Sequence, residues 1–298
     1  MLLLTSFAIL VISEAVNSDN VKCGLPVHQF NMNKGNRIVG GWEAIPHSIP
    51  WQVYMIFYDS TMMIDATCGG SLVHLMPGNG TRYVLTAAHC VRHRESKEYR
   101  HAASIDVVIG GHNMGFYEPR VVVGVSKYTH GHYSHKTKKL DIALLQLATE
   151  VQFTDTILPI CLPRSRTSIP VNVPCFVSGW GYTQYGDPSN TLQVVDVQIL
   201  DDADCNIEKE TQDKSFCAGH LNGGKDACLG DSGGPLFCFE HGRFFLYGIT
   251  SFGEGCGVPG KPGVYTDVAQ QIHWLRKQAP AFGVSFDPFT DSIYQYQG

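Results

Sequence analysis

Short runs rich in Val, Ile, Tyr and Phe recur along the chain, and Gly, Pro, Asn or Asp often separate them. The first group favours strands and the second favours turns, so the pattern predicts an all-β barrel or sandwich. A core of sufficient size is available, since 44% of the 298 residues are hydrophobic. One helix is expected at about residues 267–279, because Val268, Ile272 and Leu275 form a single apolar stripe. The strand-like runs cover residues 51–58, 83–86, 105–109, 120–125, 193–200, 244–251 and 263–268.

Residues 226–235 read Asp-Ala-Cys-Leu-Gly-Asp-Ser-Gly-Gly-Pro and combine a nucleophile with carboxylates and glycines. A serine hydroxyl is a weak nucleophile at neutral pH, so Ser232 needs a base and donors for the developing oxyanion. Gly230 has no side chain to screen its amide, so the N–H groups of Gly230 and Ser232 can point at one oxyanion. Gly233 and Gly234 permit the sharp turn that this requires. The base must come from another segment.

Two upstream segments supply a histidine and then an acid: residues 85–90 (Leu-Thr-Ala-Ala-His-Cys) and residues 140–145 (Leu-Asp-Ile-Ala-Leu-Leu). Alone, each motif has an ordinary interpretation, such as a buried histidine, a turn carboxylate or a glycine loop. Together they give the chain order His89, Asp141, Ser232. At these motifs the sequence resembles the chymotrypsin family of serine proteases.

The resemblance runs from Ile38 to about Ala279 and implies both a fold and a mechanism. The fold would be two six-stranded antiparallel β-barrels with a C-terminal helix. His89 and Asp141 would come from the first barrel and Ser232 from the second. His89 would act as general base and acid, Asp141 would orient its ring, and Ser232 would attack the scissile carbonyl. No cofactor is implied.

Asp226 suggests the substrate class, because it lies six residues before Ser232. In trypsin-like members of the family, this position forms the floor of the primary pocket. A carboxylate there is unsatisfied until Arg binds it bidentately or Lys binds it as a point charge. The implied substrates are proteins or peptides cleaved after Arg or Lys, and the alternative is that Asp226 is an ordinary solvated acid. The implied substrate-binding residues are Asp226, Ala227, Ser251, Phe252, Gly253 and Gly263.

Two positions depart from the usual trypsin pattern. Ala227 stands where many trypsins have Ser, which removes a hydroxyl that could help to bind a Lys ammonium group. We therefore expect Arg to be preferred over Lys. Phe252 stands where the family usually has Trp, so the apolar shelf for residues preceding the cut is smaller.

Residues 1–18 have the features of a secretory signal peptide, a short apolar run that ends in small and polar residues. No Lys or Arg precedes this apolar run, so an uncleaved anchor is the alternative. The later sequence contains no stretch of about 18 apolar residues, the length needed to span a membrane. The ten cysteines also favour an oxidising compartment, so a secreted, extracellular protein is expected.

Residues 19–37 form a short polar segment that ends at Arg37, directly before Ile38-Val39-Gly40-Gly41. This junction resembles the activation site of the family's zymogens, cut by another protease or by the enzyme itself. Cleavage would free the Ile38 amine, and the resemblance implies that this amine pairs with Asp231. A buried ammonium–carboxylate pair is tolerated only when both partners are present, so one cut could switch the oxyanion loop. The alternative is that Arg37 is an exposed linker residue.

Ten cysteines allow roughly a thousand pairings, so spacing alone assigns no disulfide bond. The sequence has no Cys-x-x-Cys spacing, which argues against the competing interpretation of a zinc site. The resemblance implies a specific set, in which the first pair would tether the cut propeptide. That set is Cys23–Cys161, Cys68–Cys90, Cys175–Cys238, Cys205–Cys217 and Cys228–Cys256.

Other candidate sites are weaker. His130, His132 and His135 could bind a metal ion, but a solvated Gly-containing loop is the favoured interpretation. Calcium is not expected either, because Gly111 stands where trypsins have a first glutamate and Glu118 is the only acid of that loop. The remaining candidate is Asn79 in Asn-Gly-Thr, the only N-glycosylation sequon.

Residues 280–298 lie outside the resemblance, and we expect a flexible or surface extension, with partner binding by its five aromatic residues as the alternative. The net charge of −5 gives no reason to expect a nucleic-acid partner. Protein inhibitors are plausible partners of such a protease. The rival hypothesis is a noncatalytic protease homologue that acts by binding, which would need none of the five site residues His89, Asp141, Ser232, Gly230 and Asp226.

Overall fold

The structure is a computed structural model that describes residues 22–32, 41–92, 98–115, 118–131, 133–134, 136–183, 186–205 and 214–284. In these ranges the first barrel contains β2 (Gln52–Tyr58), β3 (Ile64–Val73), β4 (Gly80–Thr86), β5 (Ile105–Ile109), β6 (Val121–His130) and β7 (Ala143–Gln152). The other strands are β1 (Trp42–Glu43), β8 (Cys175–Gly179), β9 (Gln193–Ile199), β10 (Ser215–Gly219), β11 (Pro235–Glu240), β12 (Arg243–Phe252) and β13 (Gly263–Asp267). The helix α1 spans Val268–Gln278.

The first barrel closes in the order β2-β3-β4-β7-β6-β5, and its neighbouring strands are antiparallel. Strand β2 shows why these residues form it: Val53, Met55 and Phe57 alternate along the strand and are fully buried. Alternation with period two places one face of a strand in the core.

The second barrel consists of β8-β9-β10-β13-β12-β11, and it closes because β8 also pairs with β9. The short strand β1 adds to the outer edge of β9. All of these pairings are antiparallel. The expected fold of two six-stranded antiparallel β-barrels is therefore confirmed.

Helix α1 confirms the predicted apolar stripe, since Val268, Ile272 and Leu275 are all buried. It begins after Asp267, whose carboxylate accepts a hydrogen bond from the backbone N–H of Gln270 at 3.1 Å. A side-chain acceptor at this position satisfies an amide that the first helical turn leaves unpaired. None of the described helices is long and apolar enough to cross a membrane.

The chain that follows the helix packs against the first barrel. Phe282 and Val284 are buried, and the carbonyl oxygen of Phe282 accepts a hydrogen bond from the Tyr83 hydroxyl at 3.0 Å. The Lys127 ammonium donates to the Ala281 carbonyl at 2.6 Å. Residues 280–284, which the sequence assigned to the C-terminal extension, thus belong to the packed body. The rest of the extension lies outside the described residues, as do residues 1–21.

Candidate active site

Asp141 is buried between the two barrels, and both of its carboxylate oxygens have partners. Only 1% of the residue is exposed. Its Oδ1 accepts the backbone N–H of His89 at 2.8 Å, and its Oδ2 lies 2.7 Å from Nδ1 of the same residue. A ring nitrogen facing a carboxylate carries the proton, so the contact favours the tautomer in which Nε2 can accept one.

The second barrel supplies two further bonds to this aspartate. The Ser251 hydroxyl, on β12, donates to Oδ2 of Asp141 at 2.5 Å. The Thr266 hydroxyl, on β13, donates to the Asp141 backbone carbonyl at 2.9 Å. Ser251 was expected among the substrate-binding residues, and the structure directs its hydroxyl to Asp141. An acid from one barrel is therefore fixed in place by hydroxyls from the other.

Ser232 lies in the turn before β11 and is fixed by backbone bonds to both barrels. Its carbonyl oxygen accepts the N–H of Gly69, on β3, at 2.8 Å, while the N–H of Gly233 donates to Thr250 on β12 at 2.8 Å. Gly233 has a φ of +77°, and a Cβ there would lie 2.7 Å from the Gly69 carbonyl oxygen. Only glycine fits this position without displacing the strand.

The structure brings His89 and Ser232 to the same disulfide bond. Sγ of Cys90 lies 3.8 Å from Nε2 of His89 and 3.6 Å from the carbonyl oxygen of Ser232. Within the part of the chain that the structure describes, the Ser232 hydroxyl has no hydrogen-bond partner. The hydroxyl is therefore not committed to a structural bond, and catalytic hydrogen bonds often tighten only when substrate binds.

Gly230 meets the requirement for a close backbone turn beside Ser232. Its φ is +98°, and an added Cβ would lie 2.9 Å from Cα of Gly181. Among the described residues, the amides of Gly230 and Ser232 have no acceptor. Two unused N–H groups on either side of Asp231 could both bind an oxyanion.

Asp226 differs from Asp141 because one of its oxygens has no partner. Its Oδ2 accepts a long hydrogen bond from the N–H of Gly257 at 3.4 Å, while the buried Oδ1 has no partner at hydrogen-bond geometry. The Ala227 N–H and the Tyr265 hydroxyl lie close enough to lower the pKa of this carboxyl, but the effect of burial is larger. Burial raises the pKa of Asp226 to about 6. A Cβ at Gly263 would lie 2.5 Å from this Oδ1, whereas a Cβ at Gly253 would make only ordinary contacts. The absence of a side chain at Gly263 is therefore what leaves space beside the carboxylate.

A comparison with protein-family models matches residues 38–275 to Trypsin. The match covers well over half of the chain and includes every residue of the site described above. The chain belongs to the trypsin family. It is thus a serine protease by family, and the family implies protein substrates.

Asp231 occupies a niche in this trypsin-family domain that two glycines create. Its Oδ1 accepts the N–H of Gly181 at 2.8 Å, and its Oδ2 accepts the N–H of Cys228 at 2.9 Å. A Cβ at Gly179 or Gly181 would collide with the carboxylate. Burial raises the pKa of Asp231 to about 6. The charged form is therefore costly here without a cation.

A cavity of about 270 Å³ connects the surroundings of Asp231 and Asp226. Both aspartates line it, together with Gly41 and the Cys228–Cys256 disulfide bond. The expected activation residues Arg37 and Ile38 lie outside the described residues. Gly41 is three residues from Ile38, and three residues span at most about 11 Å.

The five disulfide bonds of the trypsin-family structure join the pairs that the resemblance implied. Cys68–Cys90 and Cys228–Cys256 flank the site, and Cys23–Cys161 joins the segment 22–32 to the body of the protein. The others are Cys175–Cys238 and Cys205–Cys217. No free cysteine occurs among the ten.

The candidate metal ligands are occupied by other contacts. Cys68, His89 and Cys90 lie close together, but both sulfur atoms belong to one disulfide bond, which leaves no thiolate. Glu118 accepts backbone hydrogen bonds from His112 and Asn113. His130 stacks on Tyr99 with ring centroids 3.8 Å apart. His132 and His135 lie outside the described residues.

The sequence analysis missed several residues that build the site. Thr266 fixes the backbone of Asp141, and Gly69 fixes that of Ser232. Each contact joins a strand of one barrel to a loop of the other, so no local pattern indicates them. Gly179 and Gly181 carry a weak signal, because the run Ser-Gly-Trp-Gly puts two glycines at the end of a strand. The substrate-side positions Ala227 and Phe252 are partly buried beside the second barrel.

Proposed function

We propose that this protein is a secreted endopeptidase that cleaves after Arg and, less well, after Lys, and that it is made as a zymogen activated at Arg37–Ile38. The observation that carries the specificity is the buried Oδ1 of Asp226, which has no partner at hydrogen-bond geometry and borders a cavity that Asp231, the residue before Ser232, also lines. The family supplies the reaction class, which is peptide-bond hydrolysis.

In the proposed mechanism, the Ser232 hydroxyl attacks the scissile carbonyl while Nε2 of His89 takes its proton. Asp141 supports this step because its Oδ2 faces Nδ1 at 2.7 Å, which stabilises the imidazolium as it forms. The N–H groups of Gly230 and Ser232 bind the oxyanion. His89 then returns the proton to the leaving amine, and water hydrolyses the acyl-enzyme by the same route.

The proposed preference for Arg rests on charge and on the number of donors. A guanidinium group can donate two parallel hydrogen bonds to a carboxylate, whereas an ammonium group acts as a point charge. An apolar side chain would leave the Asp226 charge buried and unpaired. Ala227 offers no hydroxyl to share the ammonium of Lys, which adds to the preference for Arg.

The proposed activation switch is supported by the niche around Asp231. Its carboxylate has two backbone donors and no cationic partner among the described residues, and burial raises its pKa. Cleavage after Arg37 would create an ammonium group at Ile38, within reach of the cavity that Gly41 lines. Pairing would offset the cost of the buried charge and fix the adjacent amide of Gly230.

The remaining features of the proposal concern the fate of the chain. Residues 1–18 would be removed as a signal peptide, and residues 19–37 would stay attached through Cys23–Cys161 after cleavage. Residues 38–279 would form the protease domain, with the extension after it. Asn79 would carry an N-linked glycan, since it lies in the loop between β3 and β4 beside the exposed Pro77 and Gly78.

Matched Arg, Lys and Phe peptide substrates, assayed before and after cleavage at Arg37, test the proposal. We expect activity only after cleavage, with Arg above Lys and far above Phe, and none in Ser232→Ala. N-terminal sequencing of the active material should show two N-termini, one at Ile38 and one from the attached segment of residues 19–37. An active enzyme with an intact Arg37–Ile38 bond would contradict the switch. No activity in correctly cleaved, folded protein would instead favour the noncatalytic homologue.

A further inference from the structure

A cation stands next to the carboxylate of the proposed pocket in the sequence, because Lys225 directly precedes Asp226. Consecutive Cα atoms are about 3.8 Å apart, and the flexible stem of a lysine can direct its ammonium group to different partners. An ammonium group near Asp226 would pair with this carboxylate or repel the Arg or Lys side chain of a substrate. The proposed pocket therefore requires that the ammonium group of Lys225 be held elsewhere.

The structure places this ammonium group on strand β9. Nζ of Lys225 donates to Oδ1 of Asp196 at 2.6 Å. The pair is partly buried, with 27% of the Lys225 side chain and 19% of the Asp196 side chain exposed. A short charge-assisted hydrogen bond that is shielded from water is stronger than an exposed ion pair. The charge of Lys225 is thus matched by an acid other than Asp226.

The cavity beside Asp226 shows the same separation. Gly224 and Asp226 line it, while Lys225, which lies between them in the sequence, is not among its lining residues. Strand β9 lines the cavity through residues 193–195, and Asp196 is the next residue of that strand. The ion pair is therefore formed outside the cavity.

The groups that act on the Asp226 carboxyl agree with this arrangement. Burial raises its pKa most, and the charge of Asp231 raises it further. The groups that lower the pKa are neutral donors, namely the N–H of Gly257, the N–H of Ala227 and the Tyr265 hydroxyl. Neutral donors leave the charge of the carboxylate available to a cation that enters the cavity.

Asp196 contacts both ends of the loop that leads to Asp226. Its backbone carbonyl accepts a hydrogen bond from Nε2 of His220 at 3.1 Å, and its carboxylate binds Lys225. Between these contacts lie Gly223 and Gly224, with φ values of +74° and +83°. Glycines have no side chain that could limit the direction of the neighbouring lysine. The position of the ammonium group therefore depends on Asp196.

We propose that Asp196 is a positioning residue for substrate specificity, which binds the ammonium group of Lys225 and thereby keeps Asp226 free for the Arg or Lys side chain of the substrate. This inference rests on the proposed cleavage after Arg and Lys. It adds a residue outside the pocket on which that selectivity depends. Without the charge of Asp196, the ammonium group of Lys225 competes with the substrate for Asp226.

Calorimetry with benzamidine on the cleaved Ser232→Ala protein tests the proposal, because this amidinium is a cation and no turnover occurs. Asp196→Asn should increase the Kd about fivefold, since it releases a competing ammonium group. Lys225→Met should not increase the Kd. The double variant Asp196→Asn/Lys225→Met should return the Kd to within about twofold of the parent value. An ion pair that only fixed the loop would instead weaken binding when either partner is removed.

A short Arg amide gives a second measurement in the cleaved active enzyme. Asp196→Asn should raise KM about fivefold and leave kcat nearly unchanged, because the released ammonium group competes for the pocket and does not contact His89. Asp202→Asn is the matched control. It removes the same charge from an exposed position three residues after the end of β9, and both constants should stay as in wild type.

The two proposals fail in different ways. An unchanged Kd in Asp196→Asn, or a double variant that binds as weakly as Asp196→Asn alone, would overturn the role of Asp196 while the parent protein still binds benzamidine. An equal loss of affinity in Lys225→Met would overturn it as well. Failure of the parent protein to bind benzamidine would overturn the proposed specificity of Asp226, and the role of Asp196 with it.

Discussion

Asp141 and Asp226 are two carboxylates of the same cleft, and their surroundings differ. Asp141 accepts hydrogen bonds from His89 and from the Ser251 hydroxyl, so both of its oxygens are used by the protein. Asp226 has one long backbone hydrogen bond, from Gly257, and an Oδ1 without a partner at hydrogen-bond geometry, although the Ala227 N–H and the Tyr265 hydroxyl lie close enough to lower the pKa of this carboxyl in part. Burial raises the pKa of Asp226 to about 6. One carboxylate is satisfied by the protein, and we propose that the other is satisfied by the bound substrate.

The difference teaches how a fold can give similar groups different tasks. Partners fix the geometry of a carboxylate and stabilise its charge, which suits a residue that must orient a histidine during each turnover. A carboxylate without partners is stabilised by a bound cation and stays buried and unpaired beside an apolar side chain. Such a residue is suited to selecting the substrate. The surroundings of Asp231 are intermediate, because its carboxylate has two backbone donors but no cationic partner among the described residues.

The largest effect should come from removing the charge of the satisfied carboxylate. In the cleaved enzyme, Asp141→Asn should lower kcat for an Arg amide at pH 7 by about 10⁴-fold, because an amide can donate to Nδ1 and favour the wrong tautomer of His89. KM should change little, since Asp141 does not touch the substrate. Steady-state kinetics with the short Arg amide measure both constants.

Binding of benzamidine provides the control for that variant. If Asp141→Asn leaves the pocket around Asp226 intact, the Kd of this amidinium should match that of wild type. A weakened Kd together with a lowered melting temperature would show that the substitution acts through the fold rather than through His89.

Sequence patterns predicted some elements of secondary structure well and missed others. The strands Gln52–Tyr58 and Ile105–Ile109 and the helix Val268–Gln278 follow local periodicity, and each was predicted to within one residue at either end. The long strands Ile64–Val73 and Ala143–Gln152 were not predicted from the runs of strand-forming residues.

Within the site, motifs gave the residue types, but partners distant in sequence decide their surroundings. Ser251 is 110 residues from Asp141, and Thr266 is 125 residues from it. Only the closing of two barrels brings these hydroxyls to the carboxylate. The unpartnered oxygen of Asp226 is likewise a result of packing, and no local pattern in the sequence indicates it.

The second prediction tests the unsatisfied carboxylate through pH. With a pKa of about 6, Asp226 is charged at pH 7 and mostly protonated at pH 5. The Kd of benzamidine should therefore increase about tenfold between pH 7 and pH 5. Calorimetry on the cleaved Ser232→Ala protein measures it without turnover. The same titration with Asp226→Asn should show weak binding that does not change with pH. If the affinity of the parent protein is independent of pH, the proposal that Asp226 binds the amidinium and is protonated in this range is wrong.

The smallest effect should follow from adding one neutral partner to the pocket. Ala227→Ser places a hydroxyl beside Asp226, where it can accept a hydrogen bond from a Lys ammonium group. A single neutral hydrogen bond contributes about 1 kcal/mol, so kcat/KM for Lys relative to Arg should increase about fivefold. Arg already meets the carboxylate with two donors and should gain less. Matched Arg and Lys amides measure this ratio, and Ala227→Val, which adds bulk without a hydroxyl, is the control. If Lys is already cleaved as well as Arg by the parent enzyme, the oxygen that Asp226 leaves open is sufficient for either cation, and the neighbouring hydroxyl is not what separates them.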